Sequence, residues 1–341
     1  MPFRRISLRP PPNIDPTKAT LAYGRLGIRR LNRELQDEEL LVRQRAVKTL
    51  TDYLHDHEHI VDALREGIVE TLSKLLTDPD VCCRTFTTEC FKIFCQHENG
   101  RLAFLKNQLL VPFKEMIKLS EEEVVRLNSH NAIELLATSP RGAAAVVENG
   151  YIPILIDCAR DEVDEIKIVV LDTLNHCLSI DTKQGLDAGG IPLFTQLLSH
   201  GEPAVRSKAA QNILDLCVDP VGKQAALDCR TIPILVNLLD DGNAKVQAAA
   251  SGALTFICTT THGRYNTLNA DALPHLLSLV DHENSHVRVN ALKLITNLSE
   301  TPEGRTILLD HLDVISAHEN DENASVAKHA RIAVSVITWK P

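Results

Sequence analysis

Apolar residues recur three and four positions apart along the chain, and the whole pattern repeats about every 40 residues. The clearest copies lie between residues 190 and 299, where Pro192, Pro233 and Pro274 stand 41 residues apart. A fixed period of this length, with apolar positions at helical spacing, predicts a helical solenoid.

The pattern inside one copy predicts at least two helices. Pro192 suits the first turn of a helix, because its missing N–H has no helical partner there and its φ angle is already helical. Residues 200–203 (HGEP) interrupt this helix. A second helix follows, and its predicted inward positions are Val205, Ala209, Ile213, Leu214 and Leu216. Two or three helices per unit with this pattern resemble an armadillo repeat.

The same period extends through eight units. A valine-like position near the start of each long helix is filled by Val42, Cys83, Val125, Ile166, Val205, Val246, Val287 and Val326. The position four residues later, which has to be small for helices to approach closely, is filled by Ala46, Thr87, Ser129, Val170, Ala209, Ala250, Ala291 and Ala330. Turns after the long helices are predicted at Gly100, Gly142, Gly222, Gly263 and Gly304. We therefore predict an all-α, armadillo-like right-handed α-solenoid of about eight repeats over residues 17–341.

The two ends of the chain differ from the repeats. Residues 1–16 contain four prolines after residue 9 and are predicted to form an extended, Pro-rich basic arm. Residues 17–36 are predicted to be helical, and residues 326–337 to form a closing helix. The single tryptophan, Trp339, is expected to seal the open end of the core rather than to anchor a partner.

Composition supports this fold class. The chain is 44% hydrophobic but only 4% aromatic, which favours Leu/Ala/Val helices over a β sandwich. No apolar run approaches the roughly 20 residues that span a membrane, and the N-terminus lacks the apolar segment of a signal peptide. Nine cysteines without regular pairs do not indicate a disulfide framework. We therefore expect a soluble protein that is cytosolic or works in a compartment continuous with the cytosol.

Charge is distributed unevenly. The net charge is −9, yet residues 1–33 hold eight Lys/Arg and one acid. A basic arm on an acidic body argues against nucleic-acid binding by the solenoid. The arm either contacts an acidic surface of a partner or folds back on its own acidic body.

Catalytic and metal-binding signatures are not found. The sequence lacks phosphate-binding, nucleophile-elbow, zinc-protease and dinucleotide-binding motifs. His55, His57 and His59 are interpreted as part of a solvated loop, and Cys83 and Cys90 as buried thiols. We predict no enzyme activity, no metal, no cofactor and no small-molecule substrate.

The long surface of a solenoid is suited to binding proteins. Armadillo proteins that bind extended peptides present a ladder of asparagines on the last helix of each repeat. Here the equivalent column reads Asp52, Ile93, Leu135, His176, Asp215, Phe256, Asn297 and Val336. Only Asn297 matches, so a partner helix suits this lining better than an extended peptide. The predicted partner-binding residues are Asp52, His176, Asp215, Phe256 and Asn297.

The ends of the chain carry a more specific resemblance. Residues 11–19 (PPNIDPTKA), 22–24 (AYG), 31–36 (LNRELQ) and 330–337 (ARIAVSVI) resemble the radial spoke head protein 14 family, also called rhabdoid tumour deletion region protein 1. This resemblance implies a non-enzymatic structural component of axonemal radial spokes in the cytoskeleton of motile cilia and flagella.

Its partners would be other radial spoke proteins, bound through helices or extended segments, with no role for nucleic acid or membrane. The arm residues expected to contribute are Arg4, Arg5, Arg9, Pro11, Pro12, Ile14 and Pro16. The alternative is a soluble adaptor that binds transient peptides in its groove.

Overall fold

The computed structural model describes residues 26–340 of the chain, and every regular element in that range is helical. The chain divides into two compact units, of which the first ends at Asn149 and the second begins at Gly150. This boundary falls inside the fourth predicted repeat. The expectation of a single domain over residues 17–341 stays a prediction.

The first unit contains nine helices among its described residues. They are α1 (Leu26–Glu34), α2 (Leu40–Leu54), α3 (His57–Arg65), α4 (Ile68–Leu75), α5 (Val81–Cys95), α6 (Glu98–Lys106), α7 (Leu110–Met116), α8 (Glu123–Ala137) and α9 (Pro140–Glu148). The predicted helix over residues 17–36 is confirmed only as α1, because residues 17–25 lie outside the described part.

The second unit contains fourteen α-helices among its described residues. Its α-helices are α10 (Tyr151–Asp161), α11 (Asp164–Leu178), α12 (Thr182–Asp187), α13 (Gly190–Leu197), α14 (Pro203–Leu216), α15 (Pro220–Asp228), α16 (Thr231–Asn237), α17 (Ala244–Ile257), α18 (Thr261–Asn269), α19 (Ala272–Leu279), α20 (Ser285–Leu298), α21 (Pro302–Leu309), α22 (Leu312–Ser316) and α23 (Ala324–Ile337). Short 3₁₀ turns, Leu238–Asp240 and Ala317–Asn320, follow α16 and α22.

Each complete repeat has three helices, of which the third is the longest. The sets α12–α14, α15–α17 and α18–α20 show this clearly, and their third helices have 14 residues each. The proline column is confirmed in the first turn of the second helices, as at Pro192 in α13 and Pro233 in α16. Proline is tolerated there because the first N–H groups of a helix have no intrahelical acceptor.

Six of the links between a first and a second helix, from α3–α4 to α18–α19, pass through a residue in the left-handed conformation. Glycine takes this place at Gly67, Gly150 and Gly189, with φ between 68° and 77°. Non-glycine residues take it at Gln108, Arg230 and Asp271, with φ of 53°, 54° and 61°. Since a Cβ atom makes this conformation less favourable, the last three positions are mildly strained.

The repeated glycines lie inside the first helices rather than in turns, which corrects the sequence interpretation. Gly222 is the third residue of α15, and a Cβ atom there would lie 2.0 Å from the carbonyl oxygen of Leu216 at the end of α14. Gly142, Gly263 and Gly304 meet the same obstruction, at 1.9–2.3 Å. Glycine is therefore required for the close approach of each first helix to the third helix before it.

The core lies between neighbouring third helices. Within the first unit α2, α5 and α8 pack in succession, and within the second unit α11, α14, α17, α20 and α23 do so. All eight residues of the predicted small column are buried, Ala209 and Ala250 completely. Of the valine-like column only Val42 remains partly exposed. The two columns therefore define the helix-facing sides as the sequence predicts.

A series of arginines, which the sequence pattern alone did not reveal, joins consecutive repeats. Each stands one residue after the valine-like position and pairs with a carboxylate in the next loop before a third helix. The pairs, with their shortest N–O distances, are Arg43–Asp78 (2.8 Å), Arg84–Glu121 (3.0 Å), Arg206–Asp241 (2.7 Å) and Arg288–Asp321 (3.0 Å). The arginine side chains are only 15–16% exposed, so these ion pairs are largely removed from water.

The expectation for Trp339 is wrong, and the expectation for the histidine-rich stretch is wrong in part. Trp339 does not seal the core, because it lies beyond α23 and is 58% exposed. The Arg305 guanidinium lies 5.6 Å from the centre of its ring. The histidine-rich stretch is a loop only in part: His55 lies in the turn after α2, whereas Asp56 caps α3 by accepting a hydrogen bond from the N–H of Glu58, and His57 and His59 lie in the helix.

Candidate protein-binding face of the third helices

The predicted partner-binding residues all lie on third helices and are all partly exposed. Asp52 is on α2 in the first unit. The other four follow one another in the second unit, on α11, α14, α17 and α20, and we call this side of the second unit the third-helix face: His176, Asp215, Phe256 and Asn297. Of the other three members of the column, Ile93 is only 1% exposed and belongs to the core, whereas Leu135 and Val336 are partly exposed.

Asn297 uses its side-chain amide inside the protein. Its Nδ2 donates to the carbonyl oxygen of Thr255 on α17, at 2.9 Å. Two turns earlier on α20, Asn290 Nδ2 donates in the same way to Ala248 O, at 2.8 Å. These two amides tie α20 to α17 and are thereby engaged within the fold.

Asp215 forms a polar contact with the preceding repeat. Asn175 Nδ2 on α11 donates to Asp215 Oδ2 at 2.6 Å. Burial raises the pKa of Asp215 to about 6, although the hydrogen bond from Asn175 opposes this shift. The carboxylate is therefore partly desolvated near neutral pH and changes its charge in mildly acidic conditions.

Asp52 is less well satisfied. Its Oδ2 atom is buried without a hydrogen-bond partner among the described residues.

The arm residues Arg4, Arg5, Arg9, Pro11, Pro12, Ile14 and Pro16 lie outside the described residues, so their predicted role stays a prediction.

The third-helix face contains a cavity of about 460 Å³, which we call the α17 cavity. Its floor consists of small residues on α17, Ala248, Ala249 and Gly252. A Cβ atom on Gly252 would lie 3.1 Å from Leu214 Cδ1, so glycine lets Leu214 sit close to α17. The side chains of Leu214, Gln211, Thr255 and Phe256 and the polar residues Lys245, Asn284, His286, Asn290 and Lys293 complete the lining.

Leu214 departs from its expected place. The sequence pattern assigned it to the inward side of α14, but it is partly exposed and lines the α17 cavity. Of the predicted residues only Phe256 lines this cavity, so the cavity and the predicted column overlap at one position.

A second cavity, of about 380 Å³, lies in the first unit between α6, α7 and α9. Its lining includes Leu105, Leu109, Val111, Arg141 and Ala145. None of the predicted partner-binding residues contributes to it.

Two kinds of reactive group occur among the described residues, possible metal ligands and cysteine thiols. Between residues 26 and 340, no group of three or more His, Cys, Asp or Glu side chains converges as metal ligands do. The imidazoles of His57 and His97 form a pair, with Nδ1 of His57 3.1 Å from Nε2 of His97. Burial, with the neighbouring charges of His57 and Arg101, lowers the pKa of His97. Burial also raises the pKa of the Cys83 and Cys90 thiols to about 12, which makes them poor nucleophiles.

None of the helices between residues 26 and 340 combines the length and the apolar character that crossing a membrane requires.

Comparison with known proteins identifies the family. The model of the armadillo-like family matches residues 155–335, which is more than half of the chain. The chain belongs to the armadillo-like family.

Solved armadillo structures agree with this fold. An engineered protein is superposed with a TM-score of 0.84 and 20% identity, over 92% of this chain and 79% of the other. A designed armadillo repeat protein gives a TM-score of 0.62 and 18% identity, over 67% and 99%. Another, solved in complex with the peptide (KR)4, gives 0.61 and 18% over the same shares. The predicted all-α armadillo fold is thus confirmed.

The α17 cavity of this armadillo chain was not predicted from the sequence. A signal was present four residues before the column, where the third helices carry Gln211, Gly252 and Lys293 in succession. All three line the cavity. A glycine between two long polar residues indicates an opening at that point on the face, but it becomes visible only when the helices are stacked.

Proposed function

We propose that this armadillo chain is a non-enzymatic scaffold that binds other proteins through the third-helix face of its second unit. The observation that carries the proposal is the α17 cavity, a partly apolar recess with polar residues around it. Such recesses, lined mainly by apolar atoms with a few placed polar groups, are the usual form of binding sites. Asp215, Phe256 and Asn297 lie on the same face, with His176 at its beginning.

The charge of the α17 cavity argues against a basic partner. One of the designed armadillo repeat proteins forms a complex with a basic peptide, (KR)4. Lysines rather than carboxylates line the α17 cavity here, so a basic peptide is not suited to it. Asp52 of the first unit stays a candidate for a separate contact, through its unpartnered oxygen.

We further propose that the scaffold is a structural component of the radial spoke in the axoneme of motile cilia and flagella. The support is the resemblance of residues 11–19 and 330–337 to the radial spoke head protein 14 family. Other spoke proteins would be its partners, and the basic arm with Arg4, Arg5 and Arg9 would add a contact outside the third-helix face. The competing function is a soluble adaptor for transient peptides.

Extraction of ciliated cells distinguishes the two functions. A spoke component is expected to remain with axonemes after detergent removes the membrane and soluble contents, and to leave only at high salt. An adaptor would appear in the detergent-soluble fraction instead. A chain with Arg4, Arg5 and Arg9 changed to Ser is expected to leave at lower salt. Equal distribution of a matched Lys183→Ser variant and the native chain provides the control.

A further inference from the structure

The α17 cavity carries an uncompensated positive charge. Lys245, His286 and Lys293 line it, and no carboxylate does so, although the whole chain has a net charge of −9. Lys245 and Lys293 form no ion pair with any residue between 26 and 340, whereas Lys208 on the neighbouring α14 pairs with Asp172. Two unpaired lysines about a recess on an acidic protein favour an acidic partner, since complementary charge promotes and orients association.

The backbone of the partner is constrained by the two asparagines. An extended segment leaves its own N–H and C=O groups to be satisfied by the receptor. The amides of Asn290 and Asn297 already donate to Ala248 O and Thr255 O, at 2.8 Å and 2.9 Å. An α-helix satisfies its backbone internally and needs only side-chain contacts. The engaged asparagines therefore favour a helical partner over an extended one.

The lining of the α17 cavity includes apolar side chains that a partner could contact. Leu214 and Phe256 are both partly exposed there, above the small residues of α17. The volume of about 460 Å³ falls within the range of roughly 300–1,000 Å³ that is typical of binding pockets. One or two bulky apolar side chains, three or four residues apart on a helix, would fill such a space.

We propose that the α17 cavity docks an acidic amphipathic α-helix of a partner protein. Its apolar side chains contact Leu214 and Phe256, and its carboxylates pair with Lys245 and Lys293. This inference rests on the proposed scaffold function and names the class of partner that the third-helix face accepts.

A peptide-display selection on the purified full-length chain tests the proposal with an unbiased set of probes. The library presents 20-residue helix-forming peptides with randomised charged and apolar positions. Enriched sequences are expected to be acidic, with apolar residues at i and i+3 or i+4. The same selection on the Lys245→Glu/Lys293→Glu double variant should lose this acidic preference. Enrichment of basic peptides, or the same sequences from both chains, would overturn the proposal.

Affinity measurements then locate the contact. A synthetic acidic peptide from the selection is expected to bind at least ten-fold more weakly to Lys245→Glu/Lys293→Glu and to Phe256→Ala. Lys183→Glu, a charge reversal at an exposed lysine on α12, should leave the affinity unchanged. A proline placed in the middle of the peptide should also reduce binding, because it breaks the helix. Undiminished binding of the proline peptide contradicts a helical partner, and equal effects of the three protein variants contradict the location.

The two proposals can fail separately. If the protein washes out of axonemes but still selects acidic helices, the radial spoke assignment fails and the docking site stands. If it remains in axonemes but shows no preference for acidic helices, the docking site fails alone.

Discussion

Arg206 on α14 is held between its own repeat and the next one. Its Nη2 lies 2.7 Å from Oδ2 of Asp241, which precedes α17, and its Nη1 donates to the carbonyl oxygens of His200 and Gly201 at 2.8 Å and 2.9 Å. The carboxylate is 7% exposed. One guanidinium therefore fixes the loop before its own helix and joins that loop to its counterpart in the following repeat.

Loss of this arginine should destabilise the second unit strongly. Arg206→Met leaves Asp241 buried without its counter-charge, and we expect the free energy of unfolding in urea to fall by about 3 kcal/mol. Asp241→Asn should cost less, because the amide oxygen still accepts a hydrogen bond. The double variant should be less destabilised than the sum of the two single changes. Strict additivity would show that the two side chains do not interact.

The glycine at the start of a first helix should be replaceable only at high cost. Gly222→Ala places a methyl group 2.0 Å from Leu216 O, and we expect a loss of about 2–3 kcal/mol as the helices separate. Gly242→Ala is the matched control, because nothing lies within 4 Å of its Cβ position. It should be neutral or slightly stabilising. Thermal melting of the two variants tests this prediction. Similar melting temperatures would contradict the close contact between the first helix and the third helix before it.

Replacing a non-glycine residue in the left-handed conformation with glycine should stabilise the protein. Asp271 has φ of 61° between α18 and α19, and Asp271→Gly is expected to stabilise the chain by about 0.5–1 kcal/mol. The reverse is expected for Asp157→Gly, an exposed position inside α10, which should lose about 1 kcal/mol. Equal effects of the two glycines in urea unfolding would argue against strain at Asp271.

Asp215 should make stability depend on pH in a particular direction. Its folded pKa of about 6 lies above the ordinary value of 3.8, so the folded state binds the proton more tightly between those values. The carboxylate therefore lowers stability as pH rises from about 4 to about 6, and its full cost persists at neutral pH. Asp215→Asn should stabilise the chain by about 2 kcal/mol at pH 7.5 and hardly at all at pH 4. A gain that is the same at both pH values would mean that the charge is not the cause.

The repeat architecture could be predicted from the sequence because it depends on local and periodic features. Pro192 and Pro233 suit the first turn of a helix wherever it occurs, and Ala209 and Ala250 must be small wherever two long helices cross. The arginine pairs could not be predicted in this way, although Arg43, Arg84, Arg206 and Arg288 each follow the valine-like residue. They were missed because a charged residue beside an apolar column is ordinarily solvated, and only the stacked repeats bring Asp78 or Asp241 within reach.

The binding face was predictable only in part. The column placed Phe256 and Asp215 on third helices, where both are partly exposed, but the engagement of Asn297 with Thr255 O depends on the distance between α20 and α17. The α17 cavity depends on the volumes of Gly252, Ala248 and Leu214 together. Trp339 shows the opposite error: a large apolar residue at the end of a repeat array was assigned to the core, yet α23 ends at Ile337 and leaves the ring outside.

The arginine pairs have a direction. In each one the donor belongs to the earlier repeat and the acceptor to the later one, and on α23 the donor position is filled by Ala327. The position is also filled by Gln247 on α17, so the pairs join only some neighbouring repeats, and Asp321 is the acceptor in the last of the four. An additional repeat placed behind α23 would meet no arginine at this position, whereas a repeat inserted directly after α14 would meet Arg206. Insertion of a repeat after α14 is therefore favoured over addition behind α23.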